Sequence, residues 1–177
     1  MKRFFILLIF LVIVVVVGLR WLIDRPKPYQ LISKQYNLSV GFPEQPTIET
    51  SVNDEGLPKT DWKVRHDRVT YVEFYDVSAT CYNEELRPEK EFVGADNDPV
   101  LALNGVKVLK SERMTVQALE TGRELPAYSR VSQDTATGNI MGHRVILDGH
   151  CMIDSGVRID HNAGPASLFL ESIKMLR

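Results

Sequence analysis

The first residues of this chain constrain its fold and its location more than any other feature. Residues 4–17 are fourteen apolar side chains in a row, and the apolar character continues past a single Arg20 to Ile23. With the Arg20 side chain reaching towards the headgroups, this segment has the ~20 residues that span the hydrocarbon core of a bilayer. We therefore predict one transmembrane helix within residues 1–25.

Two other interpretations of this segment stay open. A charged start followed by an apolar run also begins a cleavable signal peptide, but residues 16–18 form a poor cleavage site and the run is long for a signal. Orientation is open as well, because basic residues lie on both sides of the run and the positive-inside rule separates them poorly. A buried helix of a soluble domain is disfavoured because the run has no polar face. We favour an uncleaved anchor with the domain outside the cytoplasm.

The remaining ~150 residues suffice for one domain of ordinary size. Pro26 and Pro28 predict a stiff linker over residues 26–35, which leaves residues 36–177 as the domain. Hydrophobic residues make up 44% of the chain and charged residues 25%, so the domain can bury a core. The net charge of -2 includes no long run of one sign, which argues against a nucleic acid partner.

Alternating apolar and polar side chains predict an antiparallel sheet. Residues 36–42 form a first strand that ends in proline. Residues 62–66 and 69–77 form a hairpin, and the second arm can pack on both faces, which places it inside the sheet. Further strand material is predicted at residues 106–110, 114–116 and 127–131.

The last hairpin has the clearest turn signal. Residues 143–147 and 150–159 flank Asp148-Gly149, a pair that favours a two-residue type I′ turn. Such a turn places Leu147 opposite His150 and His143 opposite Asp154.

Helices are predicted only in short pieces within the domain. The pattern between Cys81 and Leu109 is broken into helical and irregular parts, and a final helix opens near Gly164. Its apolar face, spaced to lie on the sheet, is formed by Phe169, Ile173 and Leu176. The predicted fold class is therefore α+β, an antiparallel β-sheet flanked by short helices and preceded by one N-terminal transmembrane helix.

The order of several segments is shared with a known family. These segments are strand 36–42 ending in Phe-Pro, a hairpin arm with Tyr-Val, Glu-Thr-Gly-Arg-Glu at 120–124, Gly-Asn-Ile-Met-Gly at 138–142 and Phe-Leu-Glu-Ser-Ile at 169–173. In this order they resemble the PsbP-like α+β sandwich of small bacterial envelope proteins and lipoproteins. The resemblance implies a sheet flanked by helices and a binding or accessory role, without a common active site. This chain lacks the lipidated cysteine of the lipoprotein relatives.

The two cysteines, Cys81 and Cys151, belong to no Cys-x-x-Cys pair, so neither a zinc ribbon nor a thioredoxin-like site is indicated. In an oxidising compartment they are candidates for a disulfide that closes a long loop. The alternative is two free thiols that pack as small hydrophobic side chains.

Potential ligands and proton carriers are concentrated in residues 143–161. The predicted turn puts them at opposite ends of a hairpin, whereas zinc needs three or four converging ligands, so no metal site is predicted. Ser155 has no nucleophile motif around it. The paired carboxylates of the chain, Glu84 with Glu85 and Asp96 with Asp98, lie in polar sequence rich in helix and strand breakers, which is typical of solvated loops. We therefore predict no catalytic or cofactor-binding residue. The residues considered are His143, Asp148, His150, Cys151, Asp154 and His161.

The sequence thus predicts a single-pass protein of the inner membrane with its C-terminal domain in the periplasm or outside the cell. Its expected role is to bind or assist another envelope or membrane protein. The sequence does not indicate whether the domain also binds a small molecule. The alternative is a periplasmic or secreted enzyme or metal-binding protein that uses residues 143–161. Aromatic side chains that stay exposed would mark a partner surface; the candidates are Trp62, Tyr71, Phe74 and Tyr75.

Overall fold

The computed structural model describes residues 28–67, 72–93, 105–160 and 163–177. These residues form ten strands and two helices. The strands are β1 (Tyr29–Ser33), β2 (Leu38–Phe42), β3 (Thr47–Val52), β4 (Pro58–Asp67), β5 (Val72–Cys81), β6 (Val106–Gln117), β7 (Glu124–Asp134), β8 (Ile140–Asp148), β9 (Cys151–Ile159) and β10 (Lys174–Met175); the helices are α1 (Pro88–Glu91) and α2 (Ala163–Ser172).

The strands form two antiparallel sheets. The larger sheet has seven strands in the order β3-β4-β5-β9-β8-β7-β6, and the smaller has three in the order β1-β2-β10. The larger sheet consists of two consecutive meanders, β3 to β5 and β6 to β9, which join where β5 pairs with β9 over eight residues. Between them the chain passes from the middle of the sheet to its far edge at β6.

The core lies between the larger sheet and a layer made of the smaller sheet and α2. We call the side of the larger sheet that meets this layer the inner face. On β9 the inner face carries Ile153, Val157 and Ile159, all buried. Phe169 of α2 packs its ring against Tyr75 of β5, with centroids 5.0 Å apart. Each fully buried side chain of this size stabilises the fold by about 1.5–3 kcal/mol, so α2 is held mainly by its apolar face.

By the described residues, the opposite side, which we call the outer face, is covered at one end. Phe92, directly after α1, packs there against Tyr128 and Leu147. Arg113 Nη2 donates a hydrogen bond to the Phe92 carbonyl at 3.0 Å. The rest of the described outer face carries mainly polar and charged side chains, together with the exposed ring of Phe74.

The predicted α+β class is wrong, because the described residues are mostly strand and α2 is ten residues long. Two segments without a strand signal pair as strands. Thr47–Val52 forms the edge strand β3 with every side chain exposed, so burial imposes no alternation on it. Tyr29–Ser33, within the predicted linker 26–35, pairs with β2 although Leu31 is its one buried residue. Both strands form because their backbones pair with a neighbouring strand, and such pairing leaves no pattern of apolar and polar residues in the sequence.

The predicted transmembrane segment, residues 1–25, lies outside the described residues. In the described parts of the chain, neither helix has the length and apolar character that a bilayer crossing requires.

Both predicted hairpins are present. The pairing of β4 with β5 confirms the first, and β5 lies inside the sheet between β4 and β9 as expected. In the second, Asp148 pairs with Cys151, so the turn residues are Gly149 and His150 rather than Asp148 and Gly149. Gly149 has φ of 61° and His150 has no positive φ, which fits a type II′ turn instead of I′. The register therefore shifts by two residues, which leaves every side chain on its predicted face.

The C-terminal helix was predicted too long. Phe169 and Ile173 are buried as expected, but α2 ends at Ser172 and Leu176 lies beyond it. The chain extends after the helix because Lys174–Met175 pairs with β2 as strand β10.

Gly142 provides a test of how α2 sits on the sheet. A Cβ atom at Gly142 would lie 2.8 Å from Val157 Cγ1 and 3.1 Å from Leu170 Cδ1. We expect Gly142→Ala to lower the free energy of unfolding by about 1–3 kcal/mol through overpacking. Equilibrium urea unfolding measures the loss. Gly41→Ala is the control, because its Cβ would meet Ser172 Cβ at an ordinary 3.4 Å. Equal stability of the two variants would contradict this packing.

Candidate functional site

Three side chains from three neighbouring strands meet near the middle of the outer face. They are Asp76 of β5, Asp154 of β9 and His143 of β8, and we call them the carboxylate–histidine cluster. His143 Nε2 and Asp154 Oδ1 are 2.7 Å apart. The predicted contact between these two residues is thus confirmed, although in the observed register Asp154 pairs with Val145 and the contact is diagonal.

Gly156 makes room for the third member of the cluster. Gly156 is on β9, the strand between β5 and β8, where it pairs with Asp76 of β5 on one side and with His143 of β8 on the other. A Cβ atom at Gly156 would be 2.5 Å from Asp76 Oδ1. The absence of a side chain therefore lets the Asp76 carboxyl lie over β9, towards the strand that carries His143.

The negative charges of Asp76 and Asp154 repel each other. Partial desolvation by the surrounding protein raises the pKa of Asp76, and the negative charge of Asp154 raises it further. His143 and Lys63 oppose these effects. The cluster therefore favours a proton or a positively charged group near Asp76.

Two nitrogen atoms beside the cluster lack hydrogen-bond partners in the described structure. They are His143 Nδ1 and Nε of Arg130, and both are buried. Arg130 pairs with His143 in the register of β7 and β8. A buried polar group without a partner costs about 1–3 kcal/mol.

The structure separates Ser155 from the histidine that a nucleophile would need. Ser155 lies on the inner face, is 1% exposed and donates its hydroxyl hydrogen to the Arg144 carbonyl at 2.8 Å. His143 lies on the outer face. Since the sheet itself stands between them, the two cannot form a nucleophile and base pair.

The other residues considered from sequence do not join the cluster. Asp148 pairs with Arg123, and His150 lies exposed in the hairpin turn. His161 lies outside the described residues, as do Asp96 and Asp98. Within the described ranges, no group of three His, Cys, Asp or Glu side chains is arranged to hold a metal ion. Exposed loop positions carry Glu84 and Glu85.

Cys81 and Cys151 are joined by a disulfide in the structure. They face each other at the end of the β5–β9 pairing, with Cα atoms 4.0 Å apart and a sequence separation of 70. The Tyr82 amide donates to the His150 carbonyl at 2.7 Å directly beside the bond. The disulfide therefore fastens the junction of the two meanders next to the last hairpin turn.

One aromatic residue of the hairpin stays exposed. Trp62 and Tyr75 are buried in the core, and Tyr71 lies outside the described residues. Phe74 is 41% exposed on the outer face, with the guanidinium carbon of Arg65 5.8 Å from its ring centroid. This ring is the side chain that meets the sequence criterion for a partner surface.

Sequence reasoning missed Asp76, Gly156 and Arg144. The alternation of β5 does place Asp76 on the face opposite Tyr75, but only the pairing with β9 shows what it faces. Arg144 had a visible signal, because it alternates in phase with Ile146 and so occupies an inner-face position.

No family model matches this chain, and no curated protein matches it. The resemblance to PsbP-like proteins therefore stays a prediction.

Replacing Asp76 tests the electrostatics of the cluster. Because the folded state raises its pKa, the ionised carboxyl is disfavoured there, and the resulting loss of stability appears as the pH rises through the folded pKa. Because the Asp76 side chain is still exposed to solvent, we expect Asp76→Asn to be more stable than the parent at pH 7 by less than about 1 kcal/mol, with the gain vanishing in acid. Thermal unfolding at several pH values measures it.

The control for this variant is Asp67→Asn. Asp67 Oδ1 forms an ion pair with Arg65 Nε at 3.1 Å and is not among the charges that raise the pKa of Asp76, so its removal is not expected to stabilise the protein. A gain for Asp76→Asn that persists at low pH would show that charge is not the cause.

Removing the disulfide tests its contribution. In the chain-entropy model, a closed loop of this length stabilises the fold by about 4 kcal/mol. We expect Cys81→Ala, Cys151→Ala and the double variant to lose similar amounts, since each breaks the same bond. Equilibrium unfolding under non-reducing conditions measures the losses. Strictly additive single losses would mean that the two sulfur atoms act independently.

Proposed function

We propose that this chain is an extracytoplasmic binding domain tethered to the inner membrane by residues 1–25, which associates with another component of the envelope. The observation that carries this proposal is the bond between Cys81 and Cys151. Disulfides persist in oxidising compartments and are rare in the cytosol of most organisms. The basic start and long apolar run of the leader provide a route to such a compartment.

The position of β1 supports a close tether. Strand β1 begins at Tyr29, so only residues 26–28 separate it from the predicted anchor. Even fully extended, these three residues span at most about 11 Å. The domain would therefore stay near the membrane surface, where a tether raises its effective concentration beside membrane neighbours.

A binding role has more support than catalysis. Ser155 is buried on the face opposite His143, and Cys151 is engaged in the disulfide. The outer face, in contrast, presents Phe74 and a half-exposed set of charged groups at fixed positions on a rigid sheet. Among the described residues of this region, 143–160, the enzyme or metal-binding alternative keeps one assembled pair, His143 with Asp154, which is less than either chemistry requires.

Fractionation combined with thiol counting tests this proposal. We expect the untagged chain in the membrane fraction at full length, with two thiols that react with a maleimide only after reduction. Protease added to spheroplasts should degrade the domain. A variant without residues 4–23 is the control and should stay in the cytosol with both thiols reactive. Recovery of the parent chain from the cytosol with free thiols would overturn the proposal.

A further inference from the structure

Among the described residues, the layer over the inner face leaves part of the larger sheet uncovered. Helix α2 packs on β8, β9 and β2, and β10 contacts β6, so a strip of the inner side of β7 and β6 lies between them without cover from the described layer. The result is a groove of about 520 Å³ on the inner face, between α2 and strands β6 and β7. We call it the Arg144 groove; its lining includes Met114, Val116, Ser129, Val131, Arg144 and Leu170.

Arg144 is the unusual member of this lining. It is only 9% exposed, and on the inner face it lies between Ser129 and Ser155 in the register. Its Nη1 donates to the Leu170 carbonyl at 2.5 Å, near the C-terminal end of α2. Its Nε is buried without a hydrogen-bond partner in the described structure. One of the five N–H donors of a buried cation is therefore unused.

No described carboxylate forms an ion pair with Arg144. Burial lowers the pKa of Arg144, and the negative charges of Glu171 and Glu112, which line the same groove, partly oppose that effect. Glu112 is itself paired with Lys110, whose Nζ lies 2.6 Å from Glu112 Oε1. Lys174 also lines the groove. Once the pair at Lys110 is set aside, two cations and one carboxylate remain around the groove.

A purely structural role explains only part of this arrangement. A cation near the last carbonyls of a helix is favourable, and the hydrogen bond to Leu170 fulfils that role. A neutral donor such as glutamine could do the same without burying a charge, which is costly unless an anion compensates it. The charge of Arg144 therefore indicates an anionic group that enters the groove.

We propose that the Arg144 groove binds an organic carboxylate with an apolar body. The carboxylate would pair with the Arg144 guanidinium, whose planar fork matches a carboxylate. The apolar body would lie along Met114, Val116 and Val131, which are partly buried beside the core. The volume is within the range of small-molecule sites. This inference rests on the proposed binding role and does not depend on the membrane tether.

Paired probes that differ only in charge test the inference. The full-length protein in nanodiscs is titrated calorimetrically with 4-phenylbutyrate and octanoate, and with the amide of each. We expect each carboxylate to bind at least about tenfold more tightly than its amide, the difference associated with a charge-assisted hydrogen bond. Empty nanodiscs correct for partition into lipid. Equal affinity for acid and amide, or no binding of either acid, overturns the inference.

Three variants assign the binding to the groove. Arg144→Gln should reduce carboxylate affinity about tenfold or more towards that of the amide. Met114→Glu, at a partly buried position, should repel the carboxylate and keeps the test valid if Arg144→Gln does not fold. Arg158→Gln is the matched control, since Arg158 lies on β9 but on the outer face and is exposed. An equal loss in Arg158→Gln would mean non-specific attraction and would overturn the site.

The outcomes separate this inference from the proposed function. A membrane-bound, disulfide-linked chain that ignores both carboxylates retains its proposed location and loses the Arg144 site. A chain that binds the carboxylates in an Arg144-dependent way but resides in the cytosol retains the site and loses the tether.

Discussion

The pairing of β5 with β9 is the interaction on which the rest of this structure depends. Each meander alone would be a narrow sheet of three or four strands, too small to bury the apolar faces that both carry. Eight residue pairs between β5 and β9 join them into one seven-stranded surface. The Cys81–Cys151 bond closes the end of that seam and links segments 70 residues apart. Contacts of this kind are entropically costly to form, and the disulfide reduces that cost in the unfolded chain.

The same seam creates the polar cluster on the outer face. Asp76 comes from the first meander and His143 with Asp154 from the second, so the cluster exists only where the two meet. Gly156 belongs to the seam itself and leaves the space that the Asp76 carboxyl fills. The cluster is therefore a property of the assembled sheet, which explains why neither half of the sequence reveals it.

The width of the joined sheet accounts for the groove on the other face. As far as the structure describes it, the covering layer has three short strands and one helix of ten residues, and although β10 contacts β6, part of the inner side of β6 and β7 stays uncovered. Apolar side chains near the edge, such as Met114 and Val116, remain partly covered. Arg144 lies where the covered and uncovered parts meet, which is why a charged residue can occupy an inner-face position there.

Much of the local structure could be predicted. The period-2 pattern identified β4, β5, β8 and β9 and assigned their side chains to faces, because alternation is dictated by strand geometry itself. Even the two-residue register shift of the last hairpin preserved those faces, so the contact between His143 and Asp154 survived it. The α+β class failed for the complementary reason. Strands β1 and β3 bury little, and a strand with little burial leaves no periodic trace in the sequence.

By itself, the sequence determined the extended segments that bury one face, the face that each of their side chains takes, and the presence of an apolar leader before the domain. Only the tertiary structure decided which strands are neighbours, and with that the positions of Asp76 beside Gly156 and of Arg144 beneath α2. The physical reason is range. Side-chain alternation and turn preference act over a few residues, whereas backbone pairing between β5 and β9 and the packing of α2 depend on the whole chain closing around one core.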